Sequence, residues 1–127
     1  MMNDCFFCDK KNFNENTLID ENDVFYARWD DFPVSKWHAE IIAKKHIESF
    51  FDLSDSELLQ FFDLLQKAKI IIQKKYFPDA FNIGINEGKE AGRTVHHLHV
   101  HIIPRYAGDV ENPRGGIRNI IPGKDNY

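Results

Sequence analysis

Residues 95–104 read Val95-His96-His97-Leu98-His99-Val100-His101-Ile102-Ile103-Pro104. Histidine alternates here with apolar residues. A strand has a side-chain period of two, so His97, His99 and His101 are expected on one face. Leu98, Val100 and Ile102 then point to the other, where they need a cover. Three imidazoles on one accessible face have no packing rationale and point to a chemical site. The strand is expected over residues 95–103, ended by Pro104.

The rest of the chain supplies the cover. Ser54-Asp55-Ser56-Glu57 matches a capping box, with Ser54 as N-cap and Glu57 three residues on. Leu58, Phe61, Phe62, Leu65, Ala68 and Ile72 follow at helical spacing. This predicts a helix that runs to about Tyr76 and stops before Pro78. Residues 18–20 and 24–28 read as two short strands around the polar turn Glu21-Asn22-Asp23. After the break at Pro33, residues 38–43 read as a third strand and 81–86 as a fourth. Residues 87–93 form a loop containing Gly88 and Gly92. The tail 105–127, polar and rich in Gly, Pro and Arg, is expected to be irregular. This order predicts one α+β domain over residues 1–127, an antiparallel sheet of about five strands with one long helix packed on a face.

Composition narrows the function. The 127 residues are 43% hydrophobic, 28% charged and 13% aromatic, with a formal net charge of −4. That balance argues against a nucleic-acid polymer as partner, because backbone binding needs a basic surface. No apolar run approaches the roughly 20 residues that span a bilayer. The start Met1-Met2-Asn3-Asp4-Cys5 lacks a basic, apolar signal segment, so a cytoplasmic location without membrane association is expected. Cys5 and Cys8 are the two cysteines. A C-x-x-C pair binds a metal, cycles as a redox pair or stays as free thiols. A redox pair belongs at a helix start after a strand, and no strand precedes this one, which favours metal.

One metal shared by all three alternating histidines is disfavoured by reach. Alternate strand residues lie about 6.7 Å apart and the outer two about 13 Å, whereas a Zn–N bond is about 2.1 Å. Two of them could share an ion, which keeps a catalytic-metal reading open. Phosphate chemistry suits the row better. A neutral imidazole is a competent nucleophile, and an N–H donor or imidazolium serves phosphoryl oxygen.

The stretch Asn86-Glu87-Gly88 through Ala91-Gly92-Arg93-Thr94-Val95-His96-His97-Leu98-His99-Val100-His101-Ile102-Ile103 resembles the histidine triad signature, H-φ-H-φ-H-φ-φ with φ apolar. Upstream, Asp30, Pro33, His38 and residues 41–47 are similar in type and order to the same family. The resemblance implies the histidine triad fold and nucleotide hydrolysis or transfer at the α-phosphate. His99 would attack phosphorus and form a nucleotidyl-histidine, which water then releases. His101 would donate to the phosphate or leaving group, and His38 would line the same site. Thr94 would offer a donor to the α-phosphate, Asn86 would fix the loop, and Trp29 and Asp30 would hold the nucleoside at its ribose. Arg93 stands where the family often has Gln. It either forks onto a longer polyphosphate or is a solvated loop residue.

Zinc-bearing members of the family imply a structural zinc on Cys5, Cys8, His46 and His97, with His96 as rival fourth ligand. No organic cofactor is implied. The string after Arg105 resembles members that hydrolyse diadenosine polyphosphates. Arg114 and Arg118 flank a Gly pair that would contact the distal polyphosphate, or else belong to a disordered or dimer-packing tail. The favoured function is therefore hydrolysis of a nucleotide or dinucleoside polyphosphate. The alternatives are a phosphoramidase or phosphorylase of the same fold, and a nucleotide-binding module without turnover. Family members are usually homodimers with their two sheets joined edge to edge.

Overall fold

A computed structural model of the chain describes residues 5–9 and 14–126. Strands β1 (Leu18–Glu21), β2 (Phe25–Trp29) and β3 (Ala39–Ala43) come first, followed by helix α1 (Asp55–Tyr76), then β4 (Ala80–Gly84) and β5 (His99–Arg105). They form a five-stranded sheet in the order β1-β2-β3-β5-β4, with every pairing antiparallel. The α+β architecture of one helix on one sheet face is the one that the alternating and helical periodicities require.

Local chemistry sets the elements. Asn22 closes the β1–β2 turn by accepting the Val24 and Phe25 amides at 3.0 and 2.9 Å. The capping box forms: the Glu57 amide donates to Ser54 Oγ, and the Ser54 amide donates to Glu57 Oε1. Lys45 Nζ holds the other Glu57 oxygen at 2.6 Å, which ties the helix start to the segment after β3. The helix ends at Phe77, whose left-handed backbone (φ 53°) returns its amide to Gln73 O, immediately before Pro78.

The core lies between α1 and the sheet. Phe25 and Ala27 of β2, Ala39, Ile41 and Ala43 of β3, and Val100 and Ile102 of β5, with Leu98 just before it, meet Phe61, Leu64, Ala68 and Ile72 of the helix. The alanines on both sides let the helix approach the strands closely. The expected helix stripe needs correction at three positions. Leu58 and Phe62 are 42% and 54% exposed, while Leu64, outside the expected stripe, is buried. A helix on one sheet buries only one sector, and the observed i, i+3, i+7 set with Ile72 is narrower than the sequence periodicity.

Two further expectations change at β5. The strand predicted over 95–103 runs instead from His99 to Arg105. Pairing with β3 ends at Ile102, so beyond that residue β5 has a free edge on that side, where a proline is tolerated. Pro104 therefore stays in the strand opposite Phe81, and Ser35 Oγ donates to its carbonyl at 2.6 Å. At the other end, the His97 amide donates to Val95 O in a tight turn, which leaves His97 outside the ladder. The tail, expected to be irregular, contains a 3-10 turn over Gly116–Ile120.

The second sheet face is covered by the N-terminal turn. Phe7 packs 5.0 Å from the His99 ring, and Phe6 lies 5.9 Å from the Arg28 guanidinium. Tyr26 Oη donates to Phe7 O at 3.5 Å. Among the described residues, no helix is long and apolar enough to cross a membrane.

Candidate active site

The register places chemistry on the covered face. Ile42 is opposite His99, and Glu40 is opposite both His101 on β5 and Arg28 on β2. Arg28, Glu40 and His101 thus form one row across three strands. His38 enters from the residue before β3, its ring 5.0 Å from that of His101, and the His99 ring lies 5.2 Å beyond.

Hydrogen bonds fix which imidazole nitrogens carry protons. His99 Nδ1 lies 2.7 Å from the His97 carbonyl, which can only accept, so Nδ1 is the protonated nitrogen. Nε2 of His99 then carries the free lone pair. The Val34 amide donates to His38 Nδ1 at 3.2 Å, so His38 holds its proton at Nε2. That N–H donates to His101 Nδ1 at 2.9 Å, which leaves His101 Nε2–H as an outward donor. All three rings are neutral in this arrangement. Burial lowers the pKa of His38, His99 and His101. His101 is pushed down to about 4, first by burial and then by the neighbouring His99 and His38, against the pull of Asp30.

Asp30 sits among these rings. Its Oδ1 accepts the Phe32 amide at 2.7 Å, and its Oδ2 lies 3.5 Å from His38 Nε2 and 3.9 Å from His101 Nδ1. Trp29, Asp30, Trp37 and His38 wall a small cavity of about 270 Å³. A larger cavity of about 1600 Å³ opens at His38 and His101 and runs past Asn86, Lys36 and Lys75 to Ile117 and Ile120 of the tail. Thr94 is exposed in the loop before the histidines. Arg93 is committed elsewhere. It donates to the Glu48 carbonyl, to Glu48 Oε1 and to His96 Nδ1, at 3.0, 3.0 and 3.1 Å.

The N-terminal pair joins a second cluster. The donor atoms of Cys5, Cys8, His46 and His97 all lie within 4.8 Å of one another. Cys8 Sγ is 3.1 Å from His46 Nδ1, and both sulfurs are 3.4 Å from His97 Nδ1. The two Nδ1 atoms are 3.3 Å apart. His97 Nε2 faces the Ala43 carbonyl at 2.6 Å, so its Nδ1 points a lone pair at the sulfurs. Tetrahedral zinc, with bonds of about 2.1 Å to nitrogen and 2.3 Å to sulfur, sets ligand edges of about 3.4–3.8 Å. The four side chains fit such an ion. His97 rather than His96 belongs to this group.

Sequence reasoning missed three residues. Glu40 reads as one polar residue within a strand, yet it is buried beside the histidines. Burial first, and then the Asp30 carboxylate, push its pKa up to about 8 against the opposing Arg28. Arg28 is buried too, with Nη2 2.6 Å from Asp31 and Nε 3.6 Å from Glu40. Trp37, at φ 68°, stacks on Tyr76 at 3.7 Å with an interplanar angle of 9°. Charged residues at 28 and 40, in strands whose other face is apolar, were the available signal for the first two.

Comparison with known proteins agrees with this geometry. The HIT domain model matches residues 11–108. An uncharacterized HIT-like protein of Methanocaldococcus jannaschii is 36% identical over 118 residues, covering 91% of each chain. The asymmetrical bis(5'-nucleosyl)-tetraphosphatase of Schizosaccharomyces pombe is 40% identical over 77 residues, 61% of this chain and 42% of that one. A zinc-bound histidine triad family protein of Mycobacterium smegmatis superposes with a TM-score of 0.72 at 29% identity, covering 83% of this chain and 77% of its own. With His99 and His101 in β5 and His97 just before it, the covering helix and a family match over most of its length, the chain belongs to the HIT, or histidine triad, family.

Proposed function

We propose that the protein hydrolyses dinucleoside polyphosphates at the α-phosphate, with His99 as nucleophile. The observation that carries this reading is the 2.7 Å bond from His99 Nδ1 to the His97 carbonyl, which fixes the tautomer that leaves Nε2 free to attack. In the first half-reaction the His99 Nε2–phosphorus bond forms and the bridging P–O bond breaks, its electron pair staying with the departing nucleotide. In the second, water attacks phosphorus and gives up a proton to solvent, the N–P bond returns its pair to His99, and a nucleoside monophosphate leaves. His101 Nε2–H, aligned by His38, donates to the phosphoryl or bridging oxygen and stabilises the charge that develops there.

The larger cavity supports an extended substrate. Its volume exceeds the roughly 300–1000 Å³ of a drug-sized site, and Lys36 and Lys75 on its wall suit a polyphosphate. Asn86 lines it as well, and Trp29 and Asp30 border the smaller cavity, where a nucleoside would sit. The resemblance to the family implies that Thr94 would offer a donor to the α-phosphate. The relative of S. pombe, a tetraphosphatase, acts on this substrate class and supports the same reading.

Zinc on Cys5, Cys8, His46 and His97 is part of the proposal, with a structural role. It would pin the Cys5–Cys8 turn against the sheet and hold Phe7 over His99. The proposed assembly is a two-fold dimer with the two sheets joined edge to edge.

The test is product analysis with a panel of diadenosine tri-, tetra- and pentaphosphates and a nucleoside phosphoramidate, with and without inorganic phosphate. Hydrolysis of the polyphosphates to a nucleoside monophosphate supports the reading. Phosphate-dependent formation of a nucleoside diphosphate shows a phosphorylase instead, and cleavage of the phosphoramidate alone a phosphoramidase. Binding without product shows a nucleotide-binding module.

A further inference from the structure

Among the described residues, Trp37 and Phe77 are the non-glycine residues with positive φ, at 68° and 53°. Phe77 ends a helix, where that conformation is common. Trp37 ends none. It is the third residue of the turn Ser35-Lys36-Trp37-His38, closed by the His38 amide on the Ser35 carbonyl at 3.2 Å. A turn with positive φ at its third residue normally carries Gly or Asn there, and a bulky aromatic is an outlier. Such strain persists only where the surroundings hold it, and it gathers at functional sites.

The surroundings here are rings from two other elements. Trp37 stacks on Tyr76, the last residue of α1, at 3.7 Å and 9°. Trp29, the last residue of β2, stands edge-on to both, at 5.5 and 5.9 Å. The rest of the turn is tied to β5 and the residue after it. Ser35 Oγ donates to the Pro104 carbonyl at 2.6 Å, and Tyr106 Oη to the Lys36 carbonyl at 2.9 Å. The turn brings the Val34 amide back to His38 Nδ1 at 3.2 Å. A negative φ at residue 37 changes the turn type, and the chain before it then leaves in another direction, taking Val34 away from the ring.

We propose that Trp37 is a positioning residue: its stack on Tyr76 holds the turn in the form that presents the Val34 amide to His38, and so sets, through His38, the donor that His101 offers to substrate. The inference rests on the hydrolase reading above and adds to it a residue that acts without touching the reacting atoms. Trp37 also borders both cavities, so loss of activity on removing its ring does not by itself separate positioning from binding.

Comparing alanine with glycine does. Trp37→Ala and Trp37→Gly both remove the ring, and any contact it makes with a nucleoside is lost equally. They differ in the backbone, because Ala resists positive φ and Gly adopts it freely. On diadenosine tetraphosphate, Trp37→Gly is expected to keep at least about tenfold more kcat than Trp37→Ala at similar KM, as an aligned proton donor is worth about a hundredfold or more. Tyr76→Leu removes the stack but leaves Trp37. It is expected to lose about tenfold in kcat, and the double variant with Trp37→Gly to turn over as Trp37→Gly alone does. Nitrogen-15 spectra of the histidine rings read the tautomer without substrate. Wild type and Trp37→Gly should show His38 protonated at Nε2 alone. Folded Trp37→Ala and Tyr76→Leu should show a mixture of the two neutral His38 tautomers.

Equal kcat for the Ala and Gly variants, or one His38 tautomer in all four folded proteins, would overturn the role of Trp37 while leaving the hydrolase reading intact. If Trp37→Ala does not fold, Tyr76→Leu and its double variant decide the matter. A wild type that turns over no polyphosphate would instead overturn the hydrolase reading, and the spectra would still decide whether the stack sets the His38 tautomer.

Discussion

His38 Nε2 lies 2.9 Å from His101 Nδ1, and the Val34 amide stands 3.2 Å behind His38 at Nδ1. A backbone N–H thus dictates, through two rings, that His101 presents a donor at Nε2. His38 touches no reacting atom in this scheme and acts by aligning its neighbour. Replacing His38 with Ala should lower kcat about a hundredfold with little change in KM, because the lost interaction belongs to the transition state. Steady-state kinetics on a dinucleoside polyphosphate checks this. A raised KM with unchanged kcat would assign His38 to ground-state binding instead.

Stability should depend on pH in two opposite senses. His101 has its pKa lowered from 6.5 to about 4, so the folded state resists protonation that the unfolded state accepts. Its contribution is complete above about 6.5 and is lost as pH falls towards 4. Glu40 has its pKa raised from 4.5 to about 8, so its contribution is complete below about 4.5 and is lost as pH rises through 8. Each slope is at most about 1.4 kcal/mol per pH unit, the value for a single proton. Urea unfolding between pH 4 and 9 measures both. Glu40→Gln should flatten the alkaline limb selectively, and an alkaline limb unchanged by that substitution would contradict the buried-acid assignment.

The Cys5, Cys8, His46 and His97 cluster and the proposed catalytic rings share Phe7, which packs 5.0 Å from His99 and 5.8 Å from His97. Elemental analysis should find one zinc per chain. Chelation should lower the melting temperature, with activity declining over the same slow course as the fold. Cys8→Ser should reproduce that loss of stability. Immediate loss of turnover at unchanged melting temperature would point instead to a metal at the catalytic histidines.

Arg93 joins the loop ahead of the triad to Glu48, with its side chain only 10% exposed. Because its guanidinium is occupied by Glu48 and His96, its removal should act on the fold more than on the substrate. Arg93→Ala is expected to cost about 1 kcal/mol or less, near the upper end for a partly exposed ion pair. KM for a tetraphosphate should stay within about threefold. A tenfold rise in KM, growing with polyphosphate length, would show that Arg93 leaves Glu48 to bind substrate.

Much of this molecule was legible in its sequence because period and capping are local. Ser54 and Glu57 announce the helix start, Pro78 its end, and the alternation around His99 the strand. The convergence of Cys5 and Cys8 on His97, some ninety positions away, came from family resemblance, since no local pattern encodes it. Register was out of reach. Only pairing across three strands sets Arg28, Glu40 and His101 in one row, and without it Glu40 is an ordinary strand residue. The helix stripe was misjudged at Leu58, Phe62 and Leu64 because periodicity marks an apolar side but not how wide a sector one sheet can cover.

The central claim is that His99 becomes covalently attached to the nucleotide. Rapid acid-free quenching of wild type with radiolabelled diadenosine tetraphosphate, followed by peptide mapping by mass spectrometry, tests it most directly. The predicted result is an acid-labile adenylyl group on His99, with His99→Ala binding the nucleotide but yielding neither adduct nor product. A fully active His99→Ala protein, or an adduct mapped to another residue, would contradict the account.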